Sequence, residues 1–178
     1  MQEFVTNAFV LGRRVRGELD LTVDLYTAYM GRIEGRVISG QKISSRFSPH
    51  LNVPNLVTLR MVEKNTLTVT DALTVSEFSW IKNDVPMLRS ILRIFFLLRV
   101  ATPPHAPDEV LWRCLVESMH THTVDIKEIL KILGHNILSA SCAVCKSISV
   151  HYFEYGDGIF FCETCGSKQT SDKVVLIT

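Results

Sequence analysis

The sequence lacks the features that mark several enzyme classes and membrane proteins. No apolar run approaches the ~20 residues that span a bilayer, and the longest, residues 94–98, is bracketed by Arg93 and Arg99. There is no glycine-rich phosphate loop, no nucleophile elbow and no HExxH motif. The N-terminus has no basic region leading into an apolar core and cleavage site, so we expect a soluble cytoplasmic protein.

Net charge is also nearly absent, at +1 over 178 residues, which argues neither for nor against a nucleic-acid partner. The distribution is uneven, because residues 27–60 carry a local excess of four positive charges. The length is sufficient for one ordinary domain, or for two small ones with an additional metal-stabilised element.

Cysteine is scarce, and four of the five cysteines form two closely spaced pairs. Two residues separate the members of each pair, and sixteen residues separate the pairs. At this spacing two thiolates of a tight turn point at one cation, and a hairpin brings two such turns face to face. The intervening residues alternate like two strands around a turn at 155–158. The sequence therefore predicts a tetrahedral zinc site with the ligands Cys142, Cys145, Cys162 and Cys165.

Two other uses of these cysteines are less consistent with the sequence. Disulfides would require an oxidising compartment, and a redox centre would need only one such pair. Four thiolates close the coordination shell of zinc, so we expect a structural metal rather than a catalytic one. His120 and His122 are then predicted to be surface or capping residues, and Cys114 a small buried apolar residue.

The remaining residues change character along the chain. Short runs rich in β-branched residues, separated by turn signals, predict five strands in a small antiparallel barrel before residue 78. Apolar residues then recur at helical spacing over 85–100, 109–120 and 125–133. We therefore expect an α+β protein with a barrel at 1–78, a helical domain at 79–140, and the zinc element with a C-terminal tail at 141–178.

Several short sequence words resemble those of the RecO family of recombinational DNA-repair mediators, in the same order along the chain. They are Gly17-Glu-Leu-Asp20, Leu25-Tyr-Thr27, Gly31-Arg32, the hairpin from Thr58 to Ala72, and the two cysteine pairs. The chain ends soon after the cysteines, as a short member would. The resemblance implies an OB-fold-like DNA-binding barrel. It also implies a non-enzymatic mediator that anneals DNA, with RecR and single-stranded DNA-binding protein as partners.

The expected DNA surface is the basic strand and the loop after it. Charged and apolar residues alternate around Arg32 and Arg36, which places both arginines on one strand face. The family has a denser basic run after this strand, so we expect weaker or more salt-sensitive binding. Tyr26, Tyr29 and Phe47 are candidate stacking rings, although such rings are more often core residues. The predicted DNA-binding residues are Arg32, Arg36, Lys42 and Arg46, followed by Arg14, Arg16 and Arg60.

A partner peptide is expected to occupy an apolar groove bordered by cations on the helical domain. The acidic tail of single-stranded DNA-binding protein is the ligand that the resemblance implies. The alternative function is a zinc-ribbon adaptor that binds proteins without contacting DNA directly. The predicted partner-binding residues are Arg89, Arg93, Phe95, Phe96, Arg99, Arg113 and Leu115.

Overall fold

The computed structural model describes residues 2–170 and 173–177. Met1 of the predicted barrel domain and Ser171, Asp172 and Thr178 of the predicted tail lie outside the described residues. Five strands form a closed barrel in the order β1-β2-β3-β5-β4, which is the topology of an OB-fold. The strands are β1 (Gln2–Arg16), β2 (Asp20–Thr27), β3 (Gly31–Val37), β4 (Leu56–Glu63) and β5 (Leu67–Ser76).

The barrel has an apolar interior and, on one side, an apolar exterior. Val23, Leu25 and Ile33 fill the interior, as their alternation with outward residues predicts. Phe9 and Tyr26 point to the other face, where they join the core of the helices. Because strand β2 is covered on both sides, almost all of it is buried.

The barrel closes with few contacts between β3 and β5. Arg36 pairs with Thr68 in parallel register, and this is the one pairing recorded for these strands in the described residues. Near the start of β3, Arg32 pairs with Pro104, which lies in the segment between the second and third helices. A segment of the helical region therefore lies alongside β3 and is joined to it by a single β-bridge.

Five α-helices and a single 3-10 turn follow the barrel in the described residues. The helices are α1 (Ser79–Lys82), α2 (Val85–Ala101), α3 (Glu109–Thr121), α4 (Ile126–Ile132) and α5 (Glu163–Gly166), and the 3-10 turn is Ile137–Ser139. Asp84, Asp108 and Asp125 accept hydrogen bonds from main-chain N–H groups in the first turns of α2, α3 and α4, as N-caps do. No helix within residues 2–170 and 173–177 is long and apolar enough to cross a membrane.

The part of the chain that carries the two cysteine pairs, called the cysteine element below, contains a small sheet of three strands. Strands β6 (Tyr152–Glu154) and β7 (Ile159–Phe161) form the predicted hairpin, and β8 (Val174–Leu176) pairs with β6 on its other edge, so the strand order is β7-β6-β8. Phe153 and Phe160 belong to the same apolar core as the helices. The mixed α+β fold is therefore confirmed, and the cysteine element packs directly against the helical region.

Candidate nucleic-acid groove and metal centre

The four paired cysteines converge on one point. Their Sγ atoms all lie within 4.8 Å of one another, and those of Cys145 and Cys162 are 3.6 Å apart. Four sulfurs about 2.3 Å from a central zinc ion would be separated by about 3.8 Å. The cluster therefore has the dimensions of a tetrahedral metal site and could hold a metal ion.

Two tight turns present these thiols. In the first, the Lys146 N–H donates to the Cys142 carbonyl at 2.9 Å, and Lys146 adopts a positive φ of 63°. In the second, the Gly166 N–H donates to the Cys162 carbonyl at 2.8 Å. Gly166 lies directly against the ring of Tyr152, where a Cβ atom would collide with the ring. Lys146 thus closes the first turn with a left-handed backbone conformation, and the absence of a side chain at Gly166 lets the second turn pack against Tyr152.

The thiols of the cluster are not equivalent. Main-chain N–H groups of Cys145 and Cys162 lower the pKa of the buried Cys142 thiol to about 6. The neighbouring Cys162 thiol raises the pKa of Cys165 to about 12. A thiolate held close to three further sulfurs is a donor set suited to a soft or borderline cation such as zinc.

A groove of about 450 Å³ crosses the barrel on the side of β3. It lies between the β1–β2 turn, β3, the β4–β5 turn and the linker at residues 102–107. OB-folds bind oligonucleotides with the face of strands 2 and 3 and with these two turns. The charged and polar residues that line it include Arg16, Arg32, Arg36, Glu34, Asn65 and His105.

Of the seven predicted DNA-binding residues, the groove brings together Arg16, Arg32 and Arg36. Lys42 and Arg46 are exposed in the loop after β3 and do not line it. The other two arginines lie on β1 and β4, also outside the groove, and are paired with carboxylates. Arg14 contacts Asp24 at 3.1 Å and Glu34 at 2.6 Å, and Arg60 contacts Glu3 at 3.4 Å.

Both arginines of β3 are held in place. Arg36 donates to the Asp20 carboxylate from Nε at 2.8 Å and from Nη2 at 2.6 Å. Asp20 also accepts from the Ser39 N–H at 2.9 Å, and this bond together with Arg36 lowers the pKa of Asp20. Arg32 donates from Nε to the Thr102 carbonyl at 2.9 Å. These contacts orient the two guanidinium groups, and Asp20 offsets part of the positive charge.

The candidate stacking rings lie elsewhere. Tyr26 is fully buried in the helical core and Phe47 packs against the barrel core. Tyr29 is 79% exposed, but it lies on the turn between β2 and β3 and does not line the groove. The groove instead contains His105, Pro104 and Asn65, which the sequence analysis did not identify. No sequence signal connects His105 to Arg32, because they are far apart in the chain.

The predicted partner groove on the helices is only partly at the surface. Phe95 and Leu115 are buried in the core, because these positions face the barrel and the neighbouring helices, so neither lines an open groove. Arg99 pairs with Asp24 at 3.0 Å. The outer face of α2 retains Arg89, Arg93 and the half-buried Phe96, together with Leu92, which is 43% exposed and was not predicted. Arg113 lies on α3, 3.9 Å from Glu109.

The other candidate residues have structural positions. His122 is the C-cap of α3 with φ 60°, and its ring stacks on Trp80 at a centroid distance of 3.9 Å. His120 is exposed on α3, as expected for a surface residue. Cys114 packs against the helical core but is only partly buried rather than buried as predicted, because it also lines an open groove between α3 and α4.

Comparison with known proteins gives a consistent result. Residues 1–79 match the family model described as Recombination protein O N terminal. A DNA repair protein RecO from Thermodesulfovibrio yellowstonii is 26% identical over 177 residues, which cover 93% of this chain and 71% of the relative. A DNA repair protein RecO from Dehalococcoides mccartyi is 23% identical over 181 residues, which cover 94% and 72%. The similarity thus extends from the barrel through the helices and the cysteine element.

Proposed function

Because the chain belongs to the RecO family, we propose that it acts in DNA repair and recombination by binding single-stranded DNA in the groove of its OB-fold. The observation that carries this proposal is the position of three arginines, Arg16, Arg32 and Arg36, in one groove at the site where OB-folds bind oligonucleotides. In this proposal the protein is a mediator that anneals complementary strands, and not an enzyme.

The groove suits the backbone of a single strand rather than particular bases. Arg32 and Arg36 are four residues apart on one strand face, or about 13 Å, which corresponds to roughly two phosphate steps. Arg16 extends the positive charge towards the β1–β2 turn. Contacts of this kind give binding that depends on salt and little on sequence.

The exposed loop after β3 supplies the next cations of the proposed path. Lys42 and Arg46 are exposed there, and within the described residues neither forms an ion pair. Each is therefore available to a phosphate group at no cost in broken ion pairs. Arg14 and Arg60 are paired and also lie outside the groove, so we propose that they contribute to the surface potential more than to direct contacts.

We propose that Cys142, Cys145, Cys162 and Cys165 hold a structural zinc ion. The sulfur spacing and the four-thiol donor set support this assignment. When bound, zinc would supply cross-linking of the two turns and no reaction chemistry. Phe153 of β6 and Phe160 of β7 hold this element against the helices through the shared apolar core.

The partner proposal concerns the outer face of α2. Arg89, Leu92, Arg93 and Phe96 are spaced by three or four residues and so share one helix face. Apolar side chains bordered by arginines suit a short peptide with acidic and apolar residues. We propose the tail of single-stranded DNA-binding protein as this peptide.

We also propose RecR as a partner, a cytoplasmic and nucleoid localisation, and a division into domains at 1–78, 79–140 and 141–178. These proposals rest on the family and on the sequence pattern.

The test is a titration of the purified protein into a fluorescent single-stranded oligonucleotide at two salt concentrations. We expect binding that weakens strongly with salt, and faster pairing of complementary strands when the protein is present. An absence of salt-dependent binding would contradict the DNA proposal. It would favour the zinc-ribbon adaptor, which should then bind partner proteins through α2 alone.

A further inference from the structure

We propose that His105, in the linker between α2 and α3, is a ring on which a DNA base stacks. This inference rests on the proposed function, because it assigns a further contact within the same groove. It makes the helical region a direct contributor to the nucleic-acid site rather than only a support for the barrel. The ligand is a base of a single strand whose phosphates lie along β3.

The linker is fixed against the barrel on the side where the strand would lie. The His105 N–H donates to the Arg32 carbonyl at 2.9 Å, and Arg32 Nε donates back to the Thr102 carbonyl at 2.9 Å. Gly31, with a positive φ of 63°, packs so closely on the Ala106 carbonyl that no Cβ would fit. Contacts on both sides of His105 therefore hold its backbone at the edge of β3.

His105 has a conformation that few residues adopt without a local reason. Its φ is 56°, in the left-handed region that is uncommon for residues other than glycine. The main chain thus turns at His105 where it leaves its short pairing with β3, and the residue lines the groove. The backbone of His105 carries the structural contacts, so its side chain is free to serve another purpose.

His105 is the one aromatic residue among the described residues that line the groove. Single-strand binding by OB-folds combines cations for phosphates with rings for bases, and histidine is among the residues that stack on unpaired bases. The imidazole is exposed, and its nitrogens make no hydrogen bond within the described part of the chain. Arg32 and Arg36 lie in the same groove, where they can bind the adjoining phosphates.

The test compares His105→Ala, His105→Phe and His105→Lys with the unaltered chain, using a fluorescent oligo(dT) at pH 8. His120→Ala is the matched control, because it removes another exposed histidine that does not line the groove. Stacking predicts that His105→Ala weakens binding about fivefold or more and that His105→Phe restores it. The slope of log affinity against log salt should be unchanged in both variants, and His120→Ala should bind like the unaltered protein.

Other outcomes overturn the inference. If His105→Lys restores binding and His105→Phe does not, the residue contacts a phosphate, and His105→Lys should then raise the salt slope by about 0.7. If His105→Ala binds normally, the ring has no role, while DNA binding by the groove stands. If the unaltered protein does not bind the oligonucleotide, the proposed function itself fails. Thermal unfolding of each variant checks that the fold is retained.

Discussion

The Asp24 carboxylate lies 3.0 Å from the guanidinium of Arg99, and this ion pair joins strand β2 of the barrel to helix α2. The same carboxylate accepts a hydrogen bond from Arg14 of β1 at 3.1 Å. Gly12 of β1 lies beside this carboxylate, next to a register shift in the pairing of β1 with β2. A Cβ atom at Gly12 would come within 3.2 Å of the Arg99 side chain. Asp24 is buried and contacts arginines of both β1 and α2, so it lies at the junction between the barrel and the helical region.

Replacement of Asp24 by Asn should destabilise the protein, because it leaves Arg99 without its carboxylate at a partly buried site. Removing one member of a fully buried pair costs about 3–5 kcal/mol. Both arginines are partly exposed, so solvent screening should reduce the cost to about 1–2 kcal/mol. Urea unfolding measures this difference. Arg113→Ala, which removes an exposed pair, is the control and should change stability by less than about 0.5 kcal/mol.

Replacement of Cys142 or Cys165 by Ser should abolish metal binding and unfold the cysteine element. Coordination contributes roughly 10–16 kcal/mol of apparent folding free energy in model zinc peptides. Phe153 and Phe160 share the core of the helices, so the helical region should lose stability as well. Elemental analysis should give one zinc per chain in the unaltered protein.

The control for the metal prediction is Cys114→Ser, which should keep both metal and fold because this thiol lies outside the cluster. A protein that contains no metal, remains folded and has a disulfide between Cys145 and Cys162 would contradict the zinc assignment.

Single replacement of Arg32, Arg36, Lys42 or Arg46 by Ala should weaken binding to all DNA sequences about equally. Each lost phosphate contact should lower the slope of log affinity against log salt by about 0.7 for single strands. Titrations at several salt concentrations measure the slope, and Arg113→Ala is the matched arginine control. Unchanged slopes in all four variants would place the DNA site elsewhere.

The stability of the fold should depend on pH in the acidic range through the carboxyl group of Asp20. The Ser39 N–H and Arg36 lower its pKa in the folded state, so its contribution is fully present above the unfolded pKa of about 3.9. That contribution is lost as the pH falls through the lower folded value. Unfolding measured between about pH 5 and pH 2 should therefore show a shallower pH dependence in Asp20→Asn. Identical pH profiles would show that the Asp20–Arg36 contact contributes nothing to stability.

Charge reversal at Arg93 should weaken binding of an acidic peptide to α2. A synthetic tail of single-stranded DNA-binding protein provides the ligand, and calorimetry measures the affinity. Arg93→Glu should lose at least about tenfold, since a charge-assisted hydrogen bond contributes roughly 1.5–3 kcal/mol. Arg113→Glu on α3 should bind normally. Equal affinity of both variants would remove the outer face of α2 from consideration.

Local patterns were sufficient for the elements and for the cysteine cluster. The alternation around Arg32 and Arg36 predicted a half-exposed strand, because side chains of a strand alternate between two faces. Asp108 predicted the start of α3, because its carboxylate caps the free N–H groups of the first turn. The two cysteine pairs predicted their own convergence, because a hairpin of that length has few ways to fold.

Features that join distant parts of the chain depended on the tertiary structure. Helical spacing placed Phe95 and Leu115 on apolar faces, but it did not show that the barrel and the neighbouring helices cover these residues and leave no open groove there. The pairing of Arg32 with Pro104 joins residues that no local pattern relates.

The sequence by itself therefore determined the types of the main elements, their approximate bounds and the members of the cysteine cluster, since each depends on residues close together in the chain. Only the tertiary structure decided which arginines share a groove, which are neutralised by carboxylates, and that His105 lines the groove. These properties depend on packing between elements, because the free energy of such contacts is set by distance and burial rather than by sequence spacing.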